Sequence, residues 1–154
     1  FYRDVMGATD ITEPFVLVAP AGRKHGKRQI RLEDALSLPL IVPIKPNATR
    51  TLIDTAVERS GKVPDIVLET DSTQVAQFLA DGLGYALLPA SSMASAALRP
   101  LDSVPIRDMT IARLLAWPVG AAISPATQRM VSLLCELTRS LIESGQLRGA
   151  YTGP

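Results

Sequence analysis

Apolar runs of two kinds alternate along the chain, and this alternation limits the fold more than any other feature. Six short β-branched or aromatic runs have the length and flanking residues of strands: EPFVLVAP (13–20), LIVPI (40–44), PDIVLET (64–70), YALLP (85–89), SVPIRD (103–108) and IARLLAW (111–117). Between them lie segments of helical period. RLEDALS (31–37) predicts a one-turn helix. In ATRTLIDTAVERSG (48–61), Leu52, Ile53, Ala56 and Val57 share one face and Gly61 stops the helix. DSTQVAQFLADG (71–82) predicts a helix whose Asp-Ser-Thr start caps its free N–H groups. PASSMASA (89–96) begins another helix, with Pro89 in its first turn. The last helix runs from Ser124 as N-cap and Pro125 at the first position to Gly145. Its stripe is Met130, Val131, Leu134, Leu137, Leu141 and Ile142. QLRGAYTGP then reads as a loose tail. Strands alternating with helices predict an α/β fold with a largely parallel sheet.

Composition narrows the function. Hydrophobic residues make up 47% and charged residues 20%, enough for a buried core. Sixteen Lys and Arg stand against fifteen Asp and Glu, so net charge gives no case for nucleic-acid binding. Locally the balance differs: AGRKHGKRQ (21–29) is a basic stretch that reads as a solvated loop or as a phosphate or partner contact. One cysteine, Cys135, excludes an internal disulfide and fits a reducing cytoplasm. No apolar run approaches the ~18 residues of a membrane span, and no leader opens the chain. The sequence begins FYRDVMGATD without an initiator Met and is expected to be a piece of a longer protein.

The glycine pair in DGLGYALLP (81–89) raises the question of a nucleotide site. A dinucleotide fingerprint needs strand, Gly-rich turn and helix in that order, so that the helix N-terminus meets the pyrophosphate. Here the helix comes first. Gly82 stands where a helix C-terminus takes a left-handed residue, and Gly84 lets the backbone turn tightly into the next strand.

Catalytic constellations are missing. His25, the only histidine, reads as a surface-loop residue without a nearby carboxylate or cysteine. Cys135, between Leu134 and Leu137, reads as a buried, inert thiol. One His and one Cys are too few soft ligands for zinc. Glu33, Asp34 and Asp71 suit helix starts, and Ser91 and Ser92 lack a nucleophile elbow. No catalytic residue, metal or cofactor is expected.

KPNATR (45–50) lies directly after one strand and opens a helix. Ligands of open α/β sheets bind outside the carboxyl ends of strands, where helix N-termini present free N–H groups. Asn47 or Thr49 suits a cap, and Arg50 suits a two-pronged contact to a carboxylate or sulfate. The same residues also fit an ordinary capped turn beside a surface arginine. LETDST (68–73) is a second junction of this kind.

Taken together, EPFVLVAPAGRKHG, IRLEDALSLPLIVP, KPNATRTLID, VLETDS, QFLADGLGYALLPAS, IARLLAW and SPATQRMVSLLCEL resemble, in order and spacing, the effector-binding domain of LysR-type transcriptional regulators. GLGYALLP is the most diagnostic run, and the resemblance covers residues 13 to 145. Within the family, the KPN loop followed by R.LID is similar to regulators of nitrogen assimilation. The resemblance implies an α/β fold like a type 2 periplasmic binding protein, with one complete lobe plus the C-terminal part of the other. Residues 1–20 would hold part of lobe one and the first hinge strand, and 21–105 lobe two. Residues 106–145 would be the second hinge strand and the helix returning to lobe one, and 146–154 a tail. It also implies that Pro46, Asn47, Ala48, Thr49 and Arg50 form the effector loop, with Ala19 and Pro20 at a hinge that floors the cleft. The implied partners are a small anionic effector, a second copy or three more in a homodimer or homotetramer, and DNA through an absent N-terminal domain. The resemblance implies no membrane and a cytoplasmic location. The rival readings are a periplasmic solute-binding protein and an enzyme of this fold such as prephenate dehydratase. The latter's threonine-arginine-phenylalanine motif fails at Thr51.

Overall fold

The computed structural model describes residues 5–71, 73–118, 124–147 and 149–152. In chain order the elements are β1 (Val5–Val18), α1 (Leu32–Leu36), β2 (Leu40–Pro43), α2 (Ala48–Ser60), β3 (Ile66–Thr70), α3 (Val75–Ala80) and β4 (Tyr85–Pro89). A 3-10 turn (Ala90–Ala94), β5 (Ser103–Pro118), α4 (Pro125–Glu143) and β6 (Tyr151–Thr152) follow. The sheet order is β3-β2-β4-β1-β5, with β6 also pairing β1.

Two compact units share these elements. One takes Pro14–Ile111, the other Phe1–Glu13 with Ala112–Pro154. Both β1 and β5 pass from one unit into the other.

Within Pro14–Ile111, period-2 alternation sends side chains to both faces of the sheet. Phe15, Leu17, Leu40, Val42 and Leu87 join Leu36 and Ile53 in one buried cluster. Val16, Val18, Ile41, Ala86 and Leu88 join Val75 and Leu79 in the other. Strands covered on both faces read as continuous apolar runs, which is why LIV and ALL lack a polar partner residue.

In the other unit, α4 keeps its predicted caps: Ser124 Oγ accepts from Thr127 N–H, and Pro125 opens the helix. Val131, Cys135, Thr138 and Ile142 form a half-buried row at 4-3-4 spacing, so Cys135 is not fully buried as expected. Met130, Leu133, Leu134 and Leu137 stay exposed, and no described residue of α4 is buried.

Several expectations need correction. The sheet is mixed: β2 runs parallel to β3 and β4, but β1 runs antiparallel to β4. SVPIRD and IARLLAW form one strand, with Asp108 at φ 59 in its middle. After Pro89 the chain makes a 3-10 turn rather than an α-helix. Asp71 does not cap α3; its carboxylate folds onto Thr73 N–H and Oγ, and the helix starts at Val75 after Gln74. This local bond also holds the Asp71 pKa below its ordinary value. The tail is partly ordered, with Tyr151 and Thr152 paired to Thr12 and Ile11.

Candidate functional site

The loop at the carboxyl end of β2 is built from three devices. Asn47 adopts an extended backbone and its Oδ1 accepts from Arg50 N–H at 3.2 Å, capping α2 as expected. Thr51 N–H closes the first helical bond onto Asn47 C=O at 2.9 Å. At the far end Gly61 terminates α2 in the left-handed region, φ 64, so the helix has one fixed length and direction. The first-turn N–H groups of Ala48 and Thr49 remain outside the helix's own bonding.

Arg50 is the third device, and its side chain points into the protein. It is only 6% exposed. Its Nε donates to Asp54 at 2.8 Å, Nη1 to the Pro43 carbonyl at 3.0 Å, and Nη2 to Glu69 at 3.0 Å. One guanidinium thus ties the end of β2, the second turn of α2 and β3. Its hydrogen bonds to Glu69 and then to Asp54 raise its pKa further and outweigh burial. Lys45 reaches the other oxygen of Asp54 at 2.7 Å. Burial pushes the Asp54 carboxyl up, but the hydrogen bonds from Lys45 and Arg50 prevail and hold its pKa low. The outward groups of the loop are therefore the amide of Asn47, the half-buried Thr49 hydroxyl and the exposed Pro46 and Ala48.

The five loop residues 46–50 come together, but Ala19 and Pro20 do not join them. Val18 is level with Ala86, and Ala86 with Ile41. Ala19 and Pro20 continue past the start of β2, whereas Pro46–Arg50 follow its end. At about 3.3 Å per residue the two sets lie on the order of 15 Å apart along the strands. Both hinge candidates are buried, and Ala19 N–H donates to Asp102 C=O at 2.9 Å.

Sequence reasoning missed three features. Glu69 lies in a predicted strand with no sequence link to Arg50, and only the fold brings the two together. His25 is no free surface residue: its backbone N–H donates to the Asp102 carboxylate at 2.7 Å and its ring lies 5.9 Å from that of Tyr85. Its Nε2 is buried without a hydrogen-bond partner. Burial lowers the imidazole pKa, against the opposing pull of Asp102 and of a backbone bond to Leu17. A groove of about 380 Å³ also runs along the C-terminal half of α2, between Leu52, Ala56, Arg59, Asp108 and Met109, and none of residues 46–50 lines it.

Among the described residues no group of His, Cys, Asp and Glu is arranged to hold a metal, and no helix is long and apolar enough to cross a membrane.

Comparison with known proteins bears on what this arrangement serves. Curated proteins give no match. Among solved structures, the chain is similar to the regulatory domain of CcmR from Synechocystis PCC6803, solved in complex with 2-PG. The identity is 25% and the TM-score 0.73, over 88% of this chain and 67% of that one. It is similar in fold to the effector-binding domain of QuiR in complex with shikimate (17%, TM-score 0.67, 90% and 68%). It is likewise similar to a C206 mutant of OxyR from Corynebacterium glutamicum (21%, TM-score 0.69, 94% and 46%). The chain thus spans between 46% and 68% of the length of these three. The resemblance seen in the sequence runs over the same ground: residues 11–139 match the LysR substrate binding domain. The CcmR and QuiR structures are of a regulatory domain and an effector-binding domain, and the matching family is not an enzyme class. With the motif order, the mixed sheet and the family match in agreement, the chain belongs to the LysR substrate-binding domain family.

Proposed function

We propose that this chain is the sensing part of a cytoplasmic LysR-type regulator and that Pro46, Asn47, Ala48, Thr49 and Arg50 form its effector loop. The observation that carries the reading is the capped N-terminus of α2 set directly after β2, with the Arg50 guanidinium bracing it from behind. Backbone N–H groups, the Asn47 amide and the Thr49 hydroxyl then face a small anion, which the positive end of the helix favours. Arg50 holds the loop in shape and does not itself grip the ligand. The ligands named for CcmR and QuiR, 2-PG and shikimate, support a small-molecule effector. The effector lies between the two lobes of the complete domain and acts by preferring one lobe arrangement, a coupling of about 1–3 kcal/mol. A homodimer or homotetramer transmits the change, and operator sequence is read by an N-terminal domain outside these residues.

Asn47→Asp tests the loop without removing the cap, since Asp caps a helix as well as Asn does. A panel of small carboxylates and phosphates is applied to the complete sensing domain, and thermal stabilisation is read for wild type and variant. The expected result is one or more stabilising anions whose affinity falls at least about tenfold in Asn47→Asp, the equivalent of roughly 1.4 kcal/mol. Equal affinity in both proteins, or turnover of a bound compound, rejects the reading.

A further inference from the structure

The basic stretch after β1 is not absorbed by the effector loop, and its geometry is more defined than that of a loose solvated segment. Gly22 and Gly26 take left-handed backbone, φ 80 and 64. Ala21 N–H donates to Leu79 C=O at 3.0 Å and Arg23 N–H to Pro20 C=O at 3.1 Å. Between the two glycines the segment is fastened by the His25 N–H bond to Asp102 and by the imidazole ring against Tyr85. The stretch then ends in a parallel bridge, Ile30 to Ile106, with both side chains buried. Neighbouring residues in extended strands point to opposite faces, so Arg31 and Arg107, which follow the bridged pair, share the outer face.

Six cations are displayed this way: Arg23, Lys24, Lys27, Arg28, Arg31 and Arg107, all exposed. None of them has an ion pair among the described residues. Residues 21–31 contain no Asp or Glu. The carboxylate that touches the segment, Asp102, is occupied by the His25 backbone N–H. A chain with net charge +1 therefore carries one pinned stretch, residues 21–31, whose charged side chains are all positive; Glu33, Asp34 and Asp108 lie at its edge beside Arg31 and Arg107.

The composition of the patch selects its partner. GRKHGKRQ (22–29) has no apolar side chain to enter a membrane or to form the dry centre of a protein interface. Its one ring, His25, is turned onto Tyr85 and is not free to stack on an unpaired base. What remains is charge and hydrogen-bond donation to a regularly spaced row of anions. We infer that Arg23, Lys24, Lys27, Arg28, Arg31 and Arg107 form a sequence-independent contact to the phosphate backbone of duplex DNA. Such contacts fix register and supply affinity without reading bases. The inference does not depend on the effector loop and would survive its failure, because the patch is formed by other residues.

The test is fluorescence anisotropy of a labelled duplex of arbitrary sequence, titrated with the chain at a series of salt concentrations. With four to six phosphate contacts, affinity should fall roughly 10²- to 10³-fold between about 50 and about 200 mM salt. A variant carrying Arg23→Gln, Lys24→Gln, Lys27→Gln and Arg28→Gln should lose most of that slope and bind far more weakly at low salt. A control carrying Arg59→Gln, Lys62→Gln, Arg129→Gln and Arg139→Gln has the same net charge and should bind as wild type. Circular dichroism verifies that both variants are folded. Equal loss in the two variants would show a general charge effect and overturn the proposal. So would absence of duplex binding at low salt, or capture by an acidic polypeptide or anionic vesicles in preference to the duplex.

Discussion

Arg50 is a residue type suited to ligand contact whose side chain here supports the fold. Its guanidinium makes three hydrogen bonds to two carboxylates and a carbonyl from a buried position. Removing it leaves the Pro43 carbonyl and Asp54 short of their partner, so Arg50→Ala should cost about 1–3 kcal/mol in urea unfolding, more than the ~1 kcal/mol expected for Asn47→Ala. A smaller loss for Arg50→Ala than for Asn47→Ala would reassign the guanidinium to the solvent side. His25 gives a pH-dependent counterpart. Burial lowers its folded pKa below 6.5, so the unfolded chain takes up the proton first as pH falls. The stability it contributes is complete above 6.5 and is lost as pH drops through the lowered folded value. Asp54 acts only in stronger acid, because its folded pKa lies below 3.8. Urea midpoints followed downward from neutral pH should therefore decline in wild type and flatten in His25→Gln. Parallel curves for the two proteins would remove His25 from this role.

At the scale of elements, Gly84 separates what a sequence states locally from what it leaves to the fold. A Cβ on Gly84 would sit 2.7 Å from the Pro39 carbonyl oxygen, a distance that side chains do not tolerate, and 3.2 and 3.3 Å from the Ile41 and Val67 side chains. The glycine lets β4 approach the chain entering β2, where Tyr85 N–H also bonds Pro39 C=O at 2.8 Å. Gly84→Ala should thus destabilise by about 1–3 kcal/mol through overpacking, while Gly82→Asn, at φ 79 with open space around its Cβ, should cost less. Comparable losses at both positions, measured by denaturant midpoints, would contradict this division. Gly61, Gly82, Asn47, Ser124 and Pro125 were legible in the sequence because caps depend on a few adjacent residues. Other features were not, because they join distant positions. The direction of β1 is set by its pairing with β4, some seventy residues on. Arg50 meets Glu69 across 19 residues, and His25 meets Asp102 across 77. The same limit hid the union of SVPIRD and IARLLAW: Asp108 and Thr110 break the apolar pattern without breaking the strand.

Among the described residues buried apolar surface is unevenly distributed, and stability should follow it. Among the described residues, every buried member of both core clusters lies between Phe15 and Met109, within the Pro14–Ile111 unit. The other unit holds the longest helix, α4, which has no buried residue among those described and leaves Met130 and Leu137 more than half exposed. A helix gains most of its stability from burying an apolar face, and its intrinsic propensity alone is marginal. Local opening free energy tracks buried contacts, so amides of β2 and β4 should exchange with solvent at the rate of global unfolding. Those of α4 should exchange on the order of 100-fold faster or more. The ordering is independent of the effector, because it rests on packing inside each unit. Hydrogen exchange read by mass spectrometry, with the chain dilute and monomeric, checks it. Protection of α4 equal to that of β4 under those conditions would defeat the prediction. Protection that rises with protein concentration would instead mean that the exposed row Met130, Leu133, Leu134 and Leu137 is covered on association, since mass action adds stability only when a bound state buries that face.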